Sequence, residues 1–297
     1  MEAGAATATR ATTRTRAKAK RRKPRGGTPW WMWLAVAAIV VFCLFPFYWL
    51  LNISLKTGND LQGSSIFPPH PVLDNYQAIF KNPDFTHALR NSAAVALIST
   101  GLSILVGAFC AYALARLRIG GKSIMLAIVL TISTFPQIAI AAPLFKLWSD
   151  IGLFNTWTGL VIPYLTFALP LTIYILVSFF KEIPRDLEEA ALVDGATHFQ
   201  AFRKVVVPLA APGLATAAIL TFIGAWNEFL LAVTLTSSSK ARTVPAAIAF
   251  FTGATEHEVP FGSISAASVT ISVPLIIMVL LFQKRIVAGL TAGAVKG

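Results

Sequence analysis

Six long apolar stretches, almost free of charged side chains, constrain this 297-residue chain more than any other feature. They cover residues 30–51, 92–114, 124–144, 157–180, 210–234 and 264–282. A helix rises about 1.5 Å per residue, so a stretch of about 20 residues crosses a hydrocarbon core of about 30 Å. Backbone groups in lipid must be hydrogen-bonded internally. We therefore expect an all-α membrane protein with six transmembrane helices.

The composition excludes a soluble enzyme. Hydrophobic residues make up 56% of the chain and charged residues only 13%, against about 25% charged residues in soluble domains. The first apolar stretch is too long for the core of a signal peptide, and no small-residue cleavage site follows it. It is therefore predicted to be a retained span, with Trp30, Trp31 and Trp33 at the membrane interface.

The positive charge is concentrated at the N-terminus and between particular spans. Residues 1–28 contain nine Lys or Arg side chains and one acid, Glu2. Because this basic arm leads directly into a span, we interpret it as a cytoplasmic tail attracted to anionic lipids, and not as a nucleic-acid-binding segment. Counted between the spans, the side that carries the N-terminus holds 19 basic residues and the opposite side 6. The positive-inside rule then predicts that both termini are cytoplasmic.

These counts give a domain organisation of three parts. Residues 1–28 form the basic tail, 29–283 the six-span transmembrane region with a long cytoplasmic loop at 181–208, and 284–297 a cytoplasmic C-terminal tail.

Motifs for catalysis are lacking in the sequence. It contains no GxxxxGK[ST] phosphate loop, no HExxH and no GxSxG. The cluster Glu256-His257-Glu258 is interpreted as part of a solvated loop, and Cys43 and Cys110 as small hydrophobic residues within apolar stretches. We therefore expect no enzymatic activity, no metal site and no cofactor in this chain.

The loop 181–208 has the pattern of two short helices joined at a glycine. Asp186 and Glu189 resemble a capping box, and Gly195 is placed to end the first helix in a left-handed turn. Thr197 and Gln200 form a second capping box. Pro208 is predicted to stop the second helix. The first helix carries a face of small residues that permits close approach by another surface, or the loop is only a connector between spans.

The spacing of this loop resembles a known family signature. Glu189-Ala190-Ala191 is followed after three residues by Gly195, and after nine more by Val205-Val206-Val207-Pro208. This pattern resembles the EAA loop of ABC importer permeases, EAA-x3-G-x9-I-x-L-P, with valines in place of the usual Ile and Leu. Further similarity narrows the family to the MalG-like carbohydrate permeases, and within them to permeases of actinobacterial trehalose importers. The segments that carry it are 75–76, 91–92, 111–116, 135–136, 143–145, 226–227 and 289–297.

The resemblance implies a type I ABC importer permease fold in the bacterial plasma (inner) membrane, with a cytoplasmic coupling helix. It implies as partners a second, MalF/SugA-like permease, two copies of a MalK/SugC-like ATPase that bind ATP and Mg, and an extracytoplasmic lipoprotein or periplasmic sugar-binding protein. The implied residues for coupling to the ATPase are Glu189, Ala190, Ala191, Asp194, Gly195 and Pro208. The implied residues of an extended C-terminal tail between the ATPases are Gly289, Thr291, Gly293, Lys296 and Gly297.

A second set of polar residues lies within the spans. Glu228 is the only acidic or basic side chain in them, and an intramembrane carboxylate usually has a function. The candidate lining of a sugar path comprises Gln137, Tyr164, Trp226, Asn227 and Glu228. Two other classes of function remain open from the residues alone. One is an ion-coupled carrier that works without partners, and the other is a multi-spanning membrane enzyme that uses Glu228 or the outer cluster Glu256-His257-Glu258.

Overall fold

Helices account for nearly all the regular structure of the chain. The computed structural model describes residues 29–63, 65–251 and 260–292, and no strand occurs among them. The α-helices are α1 Trp30–Ser54, α2 Asp74–Lys81, α3 Pro83–Arg116, α4 Lys122–Ser133, α5 Gln137–Asp150, α6 Trp157–Glu182, α7 Arg185–Val193, α8 His198–Ala201, α9 Val207–Leu209, α10 Ala211–Trp226, α11 Leu230–Leu235, α12 Val244–Ile248 and α13 Phe261–Ala292. A short 3₁₀ helix covers Gly58–Gln62, and a π-helical turn, Phe202–Val206, joins α8 to α9. The prediction of an all-helical fold is confirmed for the described residues.

The chain divides into two compact units, Met1–Phe45 and Pro46–Gly297. The described part of the first unit is helical and exposed along its length; Trp30, for example, is 74% exposed. Such an apolar and exposed helix is suited to a lipid environment. The second unit contains the hydrophobic core and both candidate functional sites.

Four helices are long and apolar enough to cross a membrane unbroken: α1, α3, α6 and α13. Two bent helix pairs are candidates for further crossings. α4 and α5 meet at 80°, and the segment His198–Leu209 meets α10 at 75°. The described residues thus provide four spans, or six if each bent pair counts as one.

Two of the predicted spans are not continuous helices. The stretch 124–144 breaks at Pro136, which is the N-cap of α5, because proline disfavours helical backbone in the residue before it. The stretch 210–234 contains a break between Trp226 and Leu230, where Glu228 binds the start of α11.

Helices α3 and α6 form the centre of the second unit. A Cβ atom at Gly107 of α3 would lie 2.6 Å from Cγ2 of Thr172 on α6, so only glycine permits this approach. Thr172 in turn shares a hydrogen bond with Thr221 of α10, with 2.9 Å between the two Oγ1 atoms. Around these contacts lies a buried cluster that includes Ala111, Leu176 and other apolar residues of the three helices.

The start of α3 is held to a distant loop through the pair Asn91-Ser92. The Asn91 amide donates hydrogen bonds to the carbonyls of Ser239 and Arg242, at 2.8 and 3.0 Å. The Ser92 hydroxyl accepts one from the Val244 amide at 2.8 Å. These contacts fix the loop between α11 and α12 on the end of α3 opposite to the loop 181–208.

Candidate coupling surface and transport path

The helix α7 contains the Glu-Ala-Ala triplet and ends as the sequence predicts. Gly195 has a φ of +87°, the left-handed conformation expected of it. The amide of Gly195 donates to the Leu192 carbonyl at 3.1 Å, and the amide of Ala196 to the Ala191 carbonyl at 3.0 Å. This pair of bonds is a Schellman motif, which satisfies carbonyls that a helix end otherwise leaves free.

The predicted capping box at Asp186 and Glu189 is wrong. α7 begins at Arg185 after Pro184, and no side chain caps it. Proline fits this position because it has no amide proton to satisfy and its φ of −55° is already close to helical. Asp186 instead lies within the first turn, where its negative charge interacts favourably with the positive end of the helix dipole.

The second half of the loop starts as predicted and ends one residue after the predicted position. The Gln200 amide donates to Thr197 Oγ1 at 3.2 Å, and the Thr197 amide to Gln200 Oε1 at 2.9 Å, which confirms the capping box. The helix ends at Leu209, one residue after Pro208, and the chain then bends by 75° into α10. The π turn before Pro208 widens the helix, with the Val207 amide bonded to the Phe202 carbonyl. This widening accommodates a proline that has no proton for the carbonyl four residues earlier.

A shallow groove of about 480 Å³ runs between α7 and α9. Its lining consists of Leu187, Ala190, Ala191, Asp194, Lys204, Val205, Pro208 and Leu209. Four of the six predicted coupling residues are among them, whereas Glu189 and Gly195 lie exposed beside the groove. The groove has an apolar floor of small and branched residues, with one acid and one base at its edges.

Glu188, which sequence analysis did not identify, attaches α7 to the C-terminal end of α3. Its Oε2 lies 3.2 Å from Arg116 Nε, and its Oε1 accepts a hydrogen bond from the Tyr112 hydroxyl. The side chains of Arg116 and Glu188 are only 6% and 11% exposed. Removing one member of such a buried pair typically costs about 3–5 kcal/mol. The sequence signal was Arg116 at the end of an apolar span, but its partner is 72 positions away and only the fold identifies it.

Three of the five predicted path residues meet in one cavity. Gln137 of α5, Tyr164 of α6 and Glu228 line a space of about 150 Å³, together with apolar residues and Thr221. Trp226 and Asn227 do not line it. The Trp226 indole donates to the Ile271 carbonyl of α13 at 3.3 Å, and the Asn227 amide donates to Ile223 of its own helix at 2.9 Å.

The carboxylate of Glu228 also has a structural role at the break between α10 and α11. It accepts hydrogen bonds from the amides of Leu231 and Ala232, at 2.7 and 3.0 Å, and from the Tyr164 hydroxyl at 2.6 Å. Two of these bonds satisfy the otherwise free amides at the start of α11. Glu228 thus stabilises a break in a helix and presents a polar group to the cavity.

Only two of the five residues predicted to form the C-terminal tail lie within the part of the chain that the structure describes. Gly289 and Thr291 lie in α13, which continues to Ala292, so the chain is helical where an extended tail was predicted. Gly293, Lys296 and Gly297 lie outside the described residues, as do the basic arm 1–28 and the cluster Glu256-His257-Glu258.

Comparison with known proteins identifies the family. Residues 103–291 match the family described as binding-protein-dependent transport system inner membrane component. The chain belongs to this family, the permeases of ABC importers, and is a multi-pass inner-membrane protein. The predicted membership is confirmed.

Several relatives show how close the similarity is. The chain is 52% identical over 266 residues to the trehalose transport system permease protein SugB of Mycobacterium tuberculosis, covering 89% of this chain and 97% of SugB. It is 45% identical to the sulfoquinovosyl glycerol transport system permease protein SmoH of Agrobacterium fabrum, covering 89% and 93%. It is 41% identical to the trehalose/maltose transport system permease protein MalG of Thermococcus litoralis, covering 89% and 96%. These relatives confirm the resemblance to MalG-like permeases.

The fold has also been seen in a solved structure. A bacterial ABC transporter involved in the import of the acidic polysaccharide alginate contains a chain that matches with a TM-score of 0.73 and 23% identity, over 85% of this chain and 94% of that one. This likeness supports the fold of an ABC importer permease.

Proposed function

We propose that this chain is the membrane subunit of an ATP-driven sugar importer that receives the ATPase movement through its loop 181–208. The observation that carries the proposal is the exposed groove between α7 and α9, lined by Ala190 and Ala191 within the EAA-like spacing. Small side chains let a second protein surface approach the backbone closely. The Schellman motif at Gly195 and the capping box at Thr197 give this surface a defined shape.

The proposed assembly contains four further components of three kinds. A second permease of the MalF/SugA type forms the other half of the path, and two MalK/SugC-like ATPases bind ATP and Mg. A sugar-binding protein delivers the solute from outside. In this assignment the chain itself transports and does not hydrolyse ATP.

The proposed substrate is a disaccharide, with trehalose as the first choice. The support is the higher identity to SugB than to SmoH, whose names specify trehalose and sulfoquinovosyl glycerol. The cavity beside Glu228 offers an amide, a phenol and a carboxylate, groups that hydrogen-bond to hydroxyl-rich solutes. Gln137 and Tyr164 are the residues proposed to contact the solute there.

The proposal is tested by purification and uptake with the complete set of subunits. The tagged chain should co-purify with the ATPase, and a strain without the gene should lose ATP-dependent trehalose uptake. Parallel uptake of maltose and sulfoquinovosyl glycerol serves as the comparison of substrates. Uptake that persists without the ATPase and follows an ion gradient would instead establish a stand-alone carrier.

A further inference from the structure

We infer that Glu188, Arg116 and Tyr112 form a strut that makes α7 and the end of α3 move as one body. Glu188 and Arg116 are then positioning residues for transport, although neither belongs to the groove. This inference rests on the proposed coupling function of the loop 181–208.

The backbone alone leaves α7 free to tilt at both ends. Before it, Ile183 and Pro184 have extended backbone, with ψ angles of 126° and 133°. After it, Gly195 adopts the left-handed conformation. Neither joint continues the hydrogen bonds of the adjoining helices, and α7 packs on the π turn Phe202–Val206 within its own loop. The backbone therefore does not make α7 one rigid helix with α6.

The strut restricts the motion of α7 because it attaches this helix to α3. The carboxylate of Glu188 uses one oxygen for Arg116 and the other for Tyr112, both on α3. Arg116 Nη2 also donates to the carbonyl of Ile183 at 2.8 Å, within the joint that precedes α7. The guanidinium of Arg116 therefore contacts both α7 and the joint that precedes it. Because both side chains are buried, separating them would leave two charges without a compensating opposite charge.

The same helix continues towards the transport path. Beyond the strut, α3 contacts α6 at Gly107 and Thr172. The hydroxyl of Thr172 bonds to Thr221, which lines the cavity that contains Glu228. If α7 moves and carries α3 with it, the movement therefore reaches the contact between α3, α6 and α10.

The first test measures the position of α7 in the full-length membrane-inserted chain, with and without the ATPase, and does not require transport. Cys43→Ser leaves the native Cys110 on α3 as one spin-label site, and Val193→Cys supplies the other on α7, where Val193 is 87% exposed. We expect a narrow distribution of distances between the labels. Glu188→Gln and Arg116→Met should broaden it at least twofold, and the exchange Arg116→Glu with Glu188→Arg should narrow it again. The matched control is Glu182→Gln, an exposed acid on the adjoining helix.

The second test measures how well ATP hydrolysis is coupled to trehalose uptake. It uses liposomes that contain the chain, the ATPase and the second permease, with trehalose and the binding protein added. Glu188→Gln should keep the ATPase bound and lower trehalose uptake per ATP hydrolysed about tenfold, with recovery in the exchanged pair. An unchanged distance distribution in Glu188→Gln would overturn the strut. A broadened distribution with unchanged uptake per ATP would overturn its role in transmission. If the wild-type chain failed to bind the ATPase at all, the proposed function would fail, whereas the distance measurement would still decide the strut.

Discussion

At the scale of single residues, Gly107 shows that the packing of two spans can depend on the absence of one side chain. The neighbouring Thr172 cannot move aside easily, because its hydroxyl bonds both to the Ala168 carbonyl and to Thr221, each at 2.9 Å. A β-branched side chain in a helix also has few alternative rotamers. The contact between α3 and α6 therefore requires glycine for steric reasons.

Gly107→Val should destabilise the protein by about 1–3 kcal/mol, the usual cost of overpacking. The measurement is the midpoint of thermal aggregation of the detergent-solubilised protein, followed by size-exclusion chromatography. Gly101→Val is the matched control on the same helix, since a Cβ at Gly101 meets nothing within 4 Å. Equal midpoints for the two variants would contradict the steric argument.

At the scale of helices, short sequence patterns predicted features that depend only on neighbouring residues, namely two helix caps. Thr197 with Gln200, and Gly195 at a helix end, were recognisable because capping depends on residues three or four apart. The π turn Phe202–Val206 before Pro208 was not predicted, because no spacing of residues signals it. Glu188 was missed because a helical acid beside Glu189 looks solvated until Arg116, from another span, is placed against it.

Gly195→Pro should abolish trehalose uptake while the protein still inserts in the membrane. Proline fixes φ near −65°, far from +87°, and removes the amide that bonds to Leu192. Gly195→Asn is the control at the same position, since asparagine tolerates the left-handed conformation and should retain most uptake. The readout is uptake normalised to the amount of membrane-inserted protein, and wild-type uptake by the proline variant would refute the requirement for this turn.

The exposed acid of the triplet gives a separate prediction for α7. Glu189→Lys reverses the charge of an exposed side chain in the middle of α7, beside the groove. We expect weaker co-purification of the ATPase and a loss of uptake. Binding and uptake both equal to wild type would argue against a role of Glu189 in docking.

At the scale of the whole molecule, the distribution of basic residues predicts the orientation of the chain. Removing residues 1–25 deletes nine of the 19 basic residues assigned to the cytoplasmic side and leaves ten against six. Insertion and uptake should therefore survive the deletion. In a background without Cys43 and Cys110, single cysteines at Val193 and Ser238 can be labelled from either side of the membrane. Labelling of Val193 from outside in the shortened protein would show that the arm sets the topology.

The bonds of Asn91 also have a consequence for biosynthesis. This amide lies at the start of the second span, yet its acceptors at Ser239 and Arg242 follow it by 148 and 151 positions. At about 5–20 residues per second, the ribosome delivers them roughly 7–30 seconds after Asn91 itself. For that interval the nascent chain holds an early span whose polar end lacks its final partners. The bundle can close at this end only when translation is nearly complete.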